Sequence, residues 1–167
     1  MAALTLLLVR GGGCAPGIAT DRGASVASPG QKIATSVTRV ADGDSFYVGL
    51  PGGEEEVRMI GVDTPETVDP DKPVQCFGPE ASAFTHGLLA PGTPVELELG
   101  AETRDRYGRL LAYVRLDGRL VEAMLARRGL ARPLTIAPND ALAPLFERLA
   151  ARAAGAGRGM WGACSGI

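Results

Sequence analysis

The sequence predicts a small closed β-barrel with helices packed against it. Three observations carry that reading. From Lys32 to Leu116 short apolar runs alternate with polar residues and are broken by Gly, Pro and Asp. One helical pattern interrupts these runs and two more follow them. The 167 residues suffice for one domain with a real core, and no stretch in the middle reads as a linker. One domain over 32–167 is therefore expected behind an extension at 1–31.

Taken in order, "IATSVTRV" (33–40) reads as a strand, "DGD" (42–44) as a turn, "SFYVGL" (45–50) as a second strand and "PGG" (51–53) as a hairpin turn. "EEVRMIGV" (55–62) is a third strand, completing a β-meander. A loop rich in Asp and Pro, "TVDPDKPVQC", leads into "GPEASAFTHGLLA", a helix with Pro79 in its first turn and an apolar face of Phe84, Leu88 and Leu89. "TPVELELG" and "GRLLAYVRL" supply two more strands, the second ending at the Asp117-Gly118 turn. "RLVEAMLARRG" is an amphipathic helix capped by Gly129, and a last helix starts near Pro144 in "PLFERLAARAAG".

The opening "MAALTLLLVRGGGCAPG" has an apolar run too short to span a bilayer and reads as an export leader, although the positive end usual before such a run is missing. "GGGC" also resembles a lipoprotein cleavage site, which would place a lipid anchor on Cys14. A flexible N-terminal extension of a cytosolic protein is the simpler alternative. With Cys14 in the leader, Cys76 and Cys164 are the remaining cysteines. In an oxidising compartment a disulfide between them would clip the C-terminal tail to the middle of the domain; otherwise they are two buried thiols.

Lys and Arg number 17 against 19 Asp and Glu, so no general positive field steers polyanions and any basic site must be local. His86 is the single histidine and falls on the first helix, which excludes histidine-pair catalysis and any metal site built on two imidazoles. There is no P-loop and no dinucleotide fingerprint. Carboxylates and arginines remain.

Asp42 and Asp44 flank the first turn, while Asp63 and Glu66, in "IGVDTPET", lie just past the third strand. In an antiparallel meander the end of strand three lies near the start of strand two, so these acids can converge on a hard cation such as calcium, although both motifs also serve as plain turns. Arg58 stands five residues before Asp63, an odd separation that puts them on opposite faces unless the strand end twists or bulges. "RDRYGR" adds Arg106, Tyr107 and Arg109. Two guanidiniums aimed at one point would bind phosphate oxygens bidentately; separately they are surface charges.

"ADGDSFYV", "VRMIGVDTPET", "FGPEASAFT", "RDRYGRLLAYV" and "LVEAMLARRGLA", in this order and at these separations, resemble the staphylococcal nuclease family over about residues 33 to 163. The resemblance implies a five-stranded OB-fold barrel of Greek-key topology, mainly β, packed with three α-helices. It further implies a calcium-dependent, monomeric, exported endonuclease cutting DNA, preferably single-stranded, and RNA to 3′-phosphate products. By motif, Asp44, Asp63 and the Thr64 carbonyl match calcium ligands, with Asp42 behind them. Glu66 matches the general base, Arg58 and Arg109 the phosphate-binding arginines, and Arg106 and Tyr107 the positions holding a terminal phosphate. Cys76 and Cys164 resemble a pair that bridges in secreted relatives. A non-catalytic OB-fold module binding single strands or a protein partner is the alternative, but such copies typically lose part of this acid and arginine set.

Departures from the family pattern also carry expectations. The chain is mildly acidic, with Asp69 and Asp71 where lysines are common, so nonspecific affinity should be weaker. Leu134 and Ile136 fall where tyrosines often line the nucleotide pocket, so base stacking there is lost.

Overall fold

The computed structural model describes residues 27–68, 71 and 73–165. The leader with Cys14, and Asp69, lie outside the described residues. The barrel grows from strands β1 (Lys32–Asp42), β2 (Ser45–Leu50), β3 (Gly53–Met59), β5 (Pro94–Arg104) and β6 (Leu110–Leu116). A short β4 (Gly61–Asp63) lies between β3 and β5 in the chain. The meander pairs β1 with β2 and β2 with β3, and β1 also pairs β5 on its other side. Antiparallel β5–β6 pairing and a parallel β3–β6 contact, with Arg58 opposite Leu111, then close the barrel. Register irregularities near Val37 and Val40 bend β1, as bulges do, and let one strand serve two curved neighbours.

Helices α1 (Gly78–Leu88), α2 (Val121–Arg128) and α3 (Ala143–Gly155) are the three read from the pattern, and Gly129 caps α2 at φ 71°. That conformation is one for which glycine pays no Cβ penalty. The Asp117-Gly118 turn returns β6 into a two-residue strand β7 (Arg119–Leu120), with positive φ at both turn residues. Too short for a periodic signal are β4, β7, β8 (Arg132–Leu134) and the single turn α4 (Met160–Ala163).

Inward-facing Phe46, Val57, Leu97 and Leu110 fill the barrel, and Leu125 and Phe146 cover it from the helices, all buried. Each such side chain contributes roughly 1.5–3 kcal/mol. The Phe146 ring lies 6.3 Å from that of Tyr113, tilted by 43°. A disulfide joins Cys76 to Cys164 across 88 positions of sequence, tying the segment before α1 to the end of α4.

The expected third strand, 55–62, is divided. β3 ends at Met59, Gly61 turns the chain at φ 84°, and β4 leaves the barrel to pair with β8. A Cβ on Gly61 would sit 2.5 Å from the Phe146 ring, so the helical layer presses against the break itself.

Candidate active site

The break in the third strand settles whether Arg58 and Asp63 meet. Because the chain turns at Gly61, alternation no longer counts across it, and Arg58 Nη2 donates to Asp63 Oδ1 at 2.9 Å and to the Val62 carbonyl at 3.2 Å. Arg58 Nη1 forms an ion pair with Asp44, since Ser45 is paired with Arg58 across β2 and β3. One guanidinium therefore bridges carboxylates 19 residues apart, the buried Asp44 and the half-exposed Asp63 (54% exposed).

Asp44 is held further. Its Oδ2 accepts from Thr64 N at 2.8 Å and Thr64 Oγ1 at 3.1 Å, and its Oδ1 accepts from Ser45 Oγ at 3.1 Å. The turn lies so close to Thr64 that a Cβ on Gly43 would be 2.6 Å from the threonine hydroxyl oxygen, so glycine is required there by space. The Gly43 carbonyl also accepts from the buried Thr85 hydroxyl at 2.6 Å, which anchors the turn to α1. Asp42 Oδ1 accepts from Thr67 Oγ1 at 2.6 Å, so this acid fixes the loop that carries Glu66. Glu66 Oε1 accepts from Thr67 N at 3.0 Å and Val68 N at 2.8 Å, and its backbone pairs with Gln75.

Arg109 comes from the turn between β5 and β6. Asp105 Oδ2 accepts from its Nε at 2.7 Å and Asp105 Oδ1 from its backbone N at 3.0 Å, a carboxylate clamp that aims the guanidinium. Burial opposes ionisation of Asp105, but its bonds to Arg109 outweigh this and hold the carboxyl below its ordinary range. Burial also pulls Arg58 below its ordinary value; Asp63 opposes that, and repulsion from Arg109 adds to it. The two guanidiniums thus feel each other, although 51 residues separate them in sequence.

All nine residues singled out for chemistry line one cavity of about 740 Å³: Asp42, Asp44, Arg58, Asp63, Thr64, Glu66, Arg106, Tyr107 and Arg109. Leu134 and Ile136 line it too. The Arg106 and Arg109 guanidiniums lie 4.7 and 5.5 Å from the Tyr107 ring centre, and Tyr107 itself is 68% exposed. His86 is exposed on α1 and does not line this cavity. Three residues escaped sequence reasoning. Asp105 carried only a turn preference, and its pairing with Arg109 comes from the turn that joins β5 to β6. Thr67 and Asn139 carried none. Asn139 clamps β5 by accepting from Glu102 N at 3.0 Å and donating to the Glu102 carbonyl at 2.8 Å.

A profile of the staphylococcal nuclease homologue family matches residues 56–163. The chain belongs to the staphylococcal nuclease family. It is 47% identical over 112 residues to a thermonuclease of Staphylococcus intermedius, covering 67% of this chain and 66% of that protein. With a thermonuclease of Staphylococcus hyicus it shares 50% identity over 103 residues, 62% of this chain and 60% of that one. With endonuclease YncB of Bacillus subtilis it shares 44% over 108 residues, 63% of this chain and 51% of the other. The chain thus spans between half and two thirds of the length of these relatives. Against the staphylococcal nuclease family, the barrel, its three helices and the mainly β composition are as the sequence implied.

Proposed function

We propose that this staphylococcal nuclease homologue is an endonuclease that hydrolyses the phosphodiester bonds of DNA, preferably single-stranded, and of RNA. One observation carries the reading: Arg58 and Arg109, brought from separate elements to within electrostatic reach, share a cavity with Asp44, Asp63 and Glu66. Two guanidiniums so placed match the charge of a five-coordinate phosphorus, and stabilising developing charge is commonly the largest contribution to such catalysis. Glu66 accepts the proton of the attacking water; the new P–O bond forms as the bond to the 5′ oxygen breaks, and that oxygen takes up a proton from solvent, leaving a 3′-phosphate and a 5′-hydroxyl. The relatives named thermonuclease and endonuclease support the class of reaction.

Calcium fits the chemistry of the donors. Asp44, Asp63 and the Thr64 carbonyl offer oxygen alone, the preference of a hard cation. Among the described residues no three acidic, histidine or cysteine side chains gather closely enough to hold a metal by themselves. An ion here would complete its shell with backbone, water and phosphate oxygens. Arg58 already places one positive charge between the two carboxylates, which is the position a cation would neutralise. When bound, calcium would supply Lewis-acid polarisation of the phosphate and charge neutralisation. The Cys76–Cys164 disulfide supports an oxidising, exported setting for a monomer, with the leader and any lipid on Cys14 upstream.

Hydrolysis of single-stranded DNA and RNA side by side, with calcium and with a chelator, tests this reading. Cleavage of both that stops with the chelator is expected. Tight binding of strands without cleavage would instead make the chain a non-catalytic module.

A further inference from the structure

A second cleft opens on the face formed by β7, α2 and the segment after α3. Arg115, Arg119, Arg127, Arg128 and Arg158 line it, over an apolar floor that includes Leu120, Met124 and Leu145, and among the described residues no acidic side chain lines it. Five of the chain's 17 basic residues are therefore gathered in one place on a molecule of net charge −2. Arg115 is paired with Glu98 at 3.6 Å, and Arg128 lies over the Phe84 ring at 4.7 Å. Among the described residues, Arg119, Arg127 and Arg158 have no carboxylate partner.

Helix electrostatics explain part of this arrangement only. Arg127 and Arg128 stand at the C-terminal end of α2, where cations offset the helix dipole. Arg158 follows the last turn of α3, where its N donates to the Ala153 carbonyl at 2.9 Å, and lies against Gly129 at the end of α2, but Arg119 is on β7 and has no helix end to explain it. The walls are also fixed in place. Met160 N donates to the Gly129 carbonyl at 2.9 Å, and a Cβ on Gly129 or Gly159 would fall 2.2 Å from a carbonyl oxygen of the opposing segment. The backbone carrying Arg127 and that carrying Arg158 are thereby locked together, which fixes how far apart the two side chains start.

We propose that this groove is a second nucleic-acid site, holding the sugar-phosphate backbone of a single strand outside the cavity where it is cut. The inference rests on the nuclease reading and deepens it. Charge complementarity selects the occupant. Among the described residues the proposed catalytic cavity is lined by seven acidic side chains against three arginines, so these hold a polyanion poorly by themselves. The unpaired guanidiniums supply what it lacks: bidentate contacts to phosphate, with the apolar floor beneath sugars and bases.

The test compares the full chain with an Arg119→Gln, Arg127→Gln, Arg158→Gln triple variant. Binding of labelled oligothymidylate is read by fluorescence anisotropy in chelator over a range of salt, and hydrolysis of the same oligomer and of a thymidine dinucleotide is read with calcium. The expected result is at least tenfold weaker oligomer binding, with a slope of log K against log salt shallower by about 2, since each lost phosphate contact removes about 0.7 for a single strand. KM for the oligomer rises, while kcat and dinucleotide hydrolysis are unchanged. The triple Arg→Lys variant restores the slope, which separates charge from fold. Unaltered oligomer affinity and slope in the Gln variant overturn the proposal. So does loss of binding to phosphatidylglycerol vesicles with oligomer binding intact, which would assign the groove to a membrane surface. If the wild type cuts nothing, the nuclease reading falls, while anisotropy still reports on the groove.

Discussion

The two clefts of this molecule use arginine in opposite ways. In the candidate catalytic cavity every ion-paired arginine is held by carboxylates: Arg58 by Asp44 and Asp63, Arg109 by Asp105. In the groove beside α2, Arg119, Arg127 and Arg158 have no such partner among the described residues. The difference teaches what pairing does. A guanidinium clamped by an acid has its direction fixed, so its charge is already aimed when charge develops on the phosphorus, which serves bond breaking. An unpaired guanidinium keeps its full attraction for phosphate, which serves affinity.

Cutting the covalent link between the two regions should have the largest effect. The disulfide joins Cys76, just beyond the loop of Glu66 and Gln75, to Cys164, just beyond the wall of Arg158 and Gly159. Cys76→Ser with Cys164→Ser should cost about 4 to 5 kcal/mol in the chain-entropy model for a loop of this length, measured by denaturant unfolding. A loss below about 1 kcal/mol would mean the two clefts are held in register by packing alone.

The helix that floors the groove carries a buried acid. Glu122 is fully buried on α2; its Oε1 accepts from Val114 N at 2.7 Å, and its Oε2 has no hydrogen-bond partner among the described residues. Burial pushes its pKa up to about 8 from 4.5. A carboxyl raised on folding binds its proton more tightly in the native state, so stability falls as pH rises from about 4.5 to about 8 and levels off above. The window corresponds to roughly 3 to 5 kcal/mol at about 1.4 kcal/mol per pH unit. Glu122→Gln should flatten that decline in melts taken across the range and raise stability at its alkaline end. An unchanged slope would place the pH dependence elsewhere.

Within the cavity, Glu66→Gln and Arg109→Ala should each lower single-turnover cleavage by about 10² to 10³, with oligomer binding in chelator nearly unchanged. Equal losses of binding and turnover would erase the contrast between the clefts. The smallest effect belongs to the clamp: Asp105→Asn frees Arg109 without removing it, and should slow cleavage by less than about tenfold. Since Asp105 sits below its ordinary pKa, the contribution of the clamp is present above about pH 4 and is lost as pH falls through the depressed value. A rate profile of the Asn variant should therefore lack an acid limb that the wild type shows.

Much of this was legible in the sequence because the signals are local. Alternation in "SFYVGL" and the turns at "DGD" and Asp117-Gly118 marked strands, and Gly129 marked the end of α2, each through a backbone preference of a few residues. The acids and arginines of the cavity were picked out by residue type and by family likeness. Alternation failed at Arg58 and Asp63, where it put the pair on opposite faces, because a glycine turn packed under Phe146 breaks the count.

The strands, the three helices and the inventory of charges follow from the order of residues, since hydrophobic period and turn chemistry act over a handful of neighbours. Which of those charges meet is set by folding. The meander and the break at Gly61 bring Asp44 and Asp63 to one guanidinium, while the contact of Gly129 with Gly159 leaves other arginines together without acids. Coulomb energy depends on distance in space, and chain closure, not sequence separation, sets that distance.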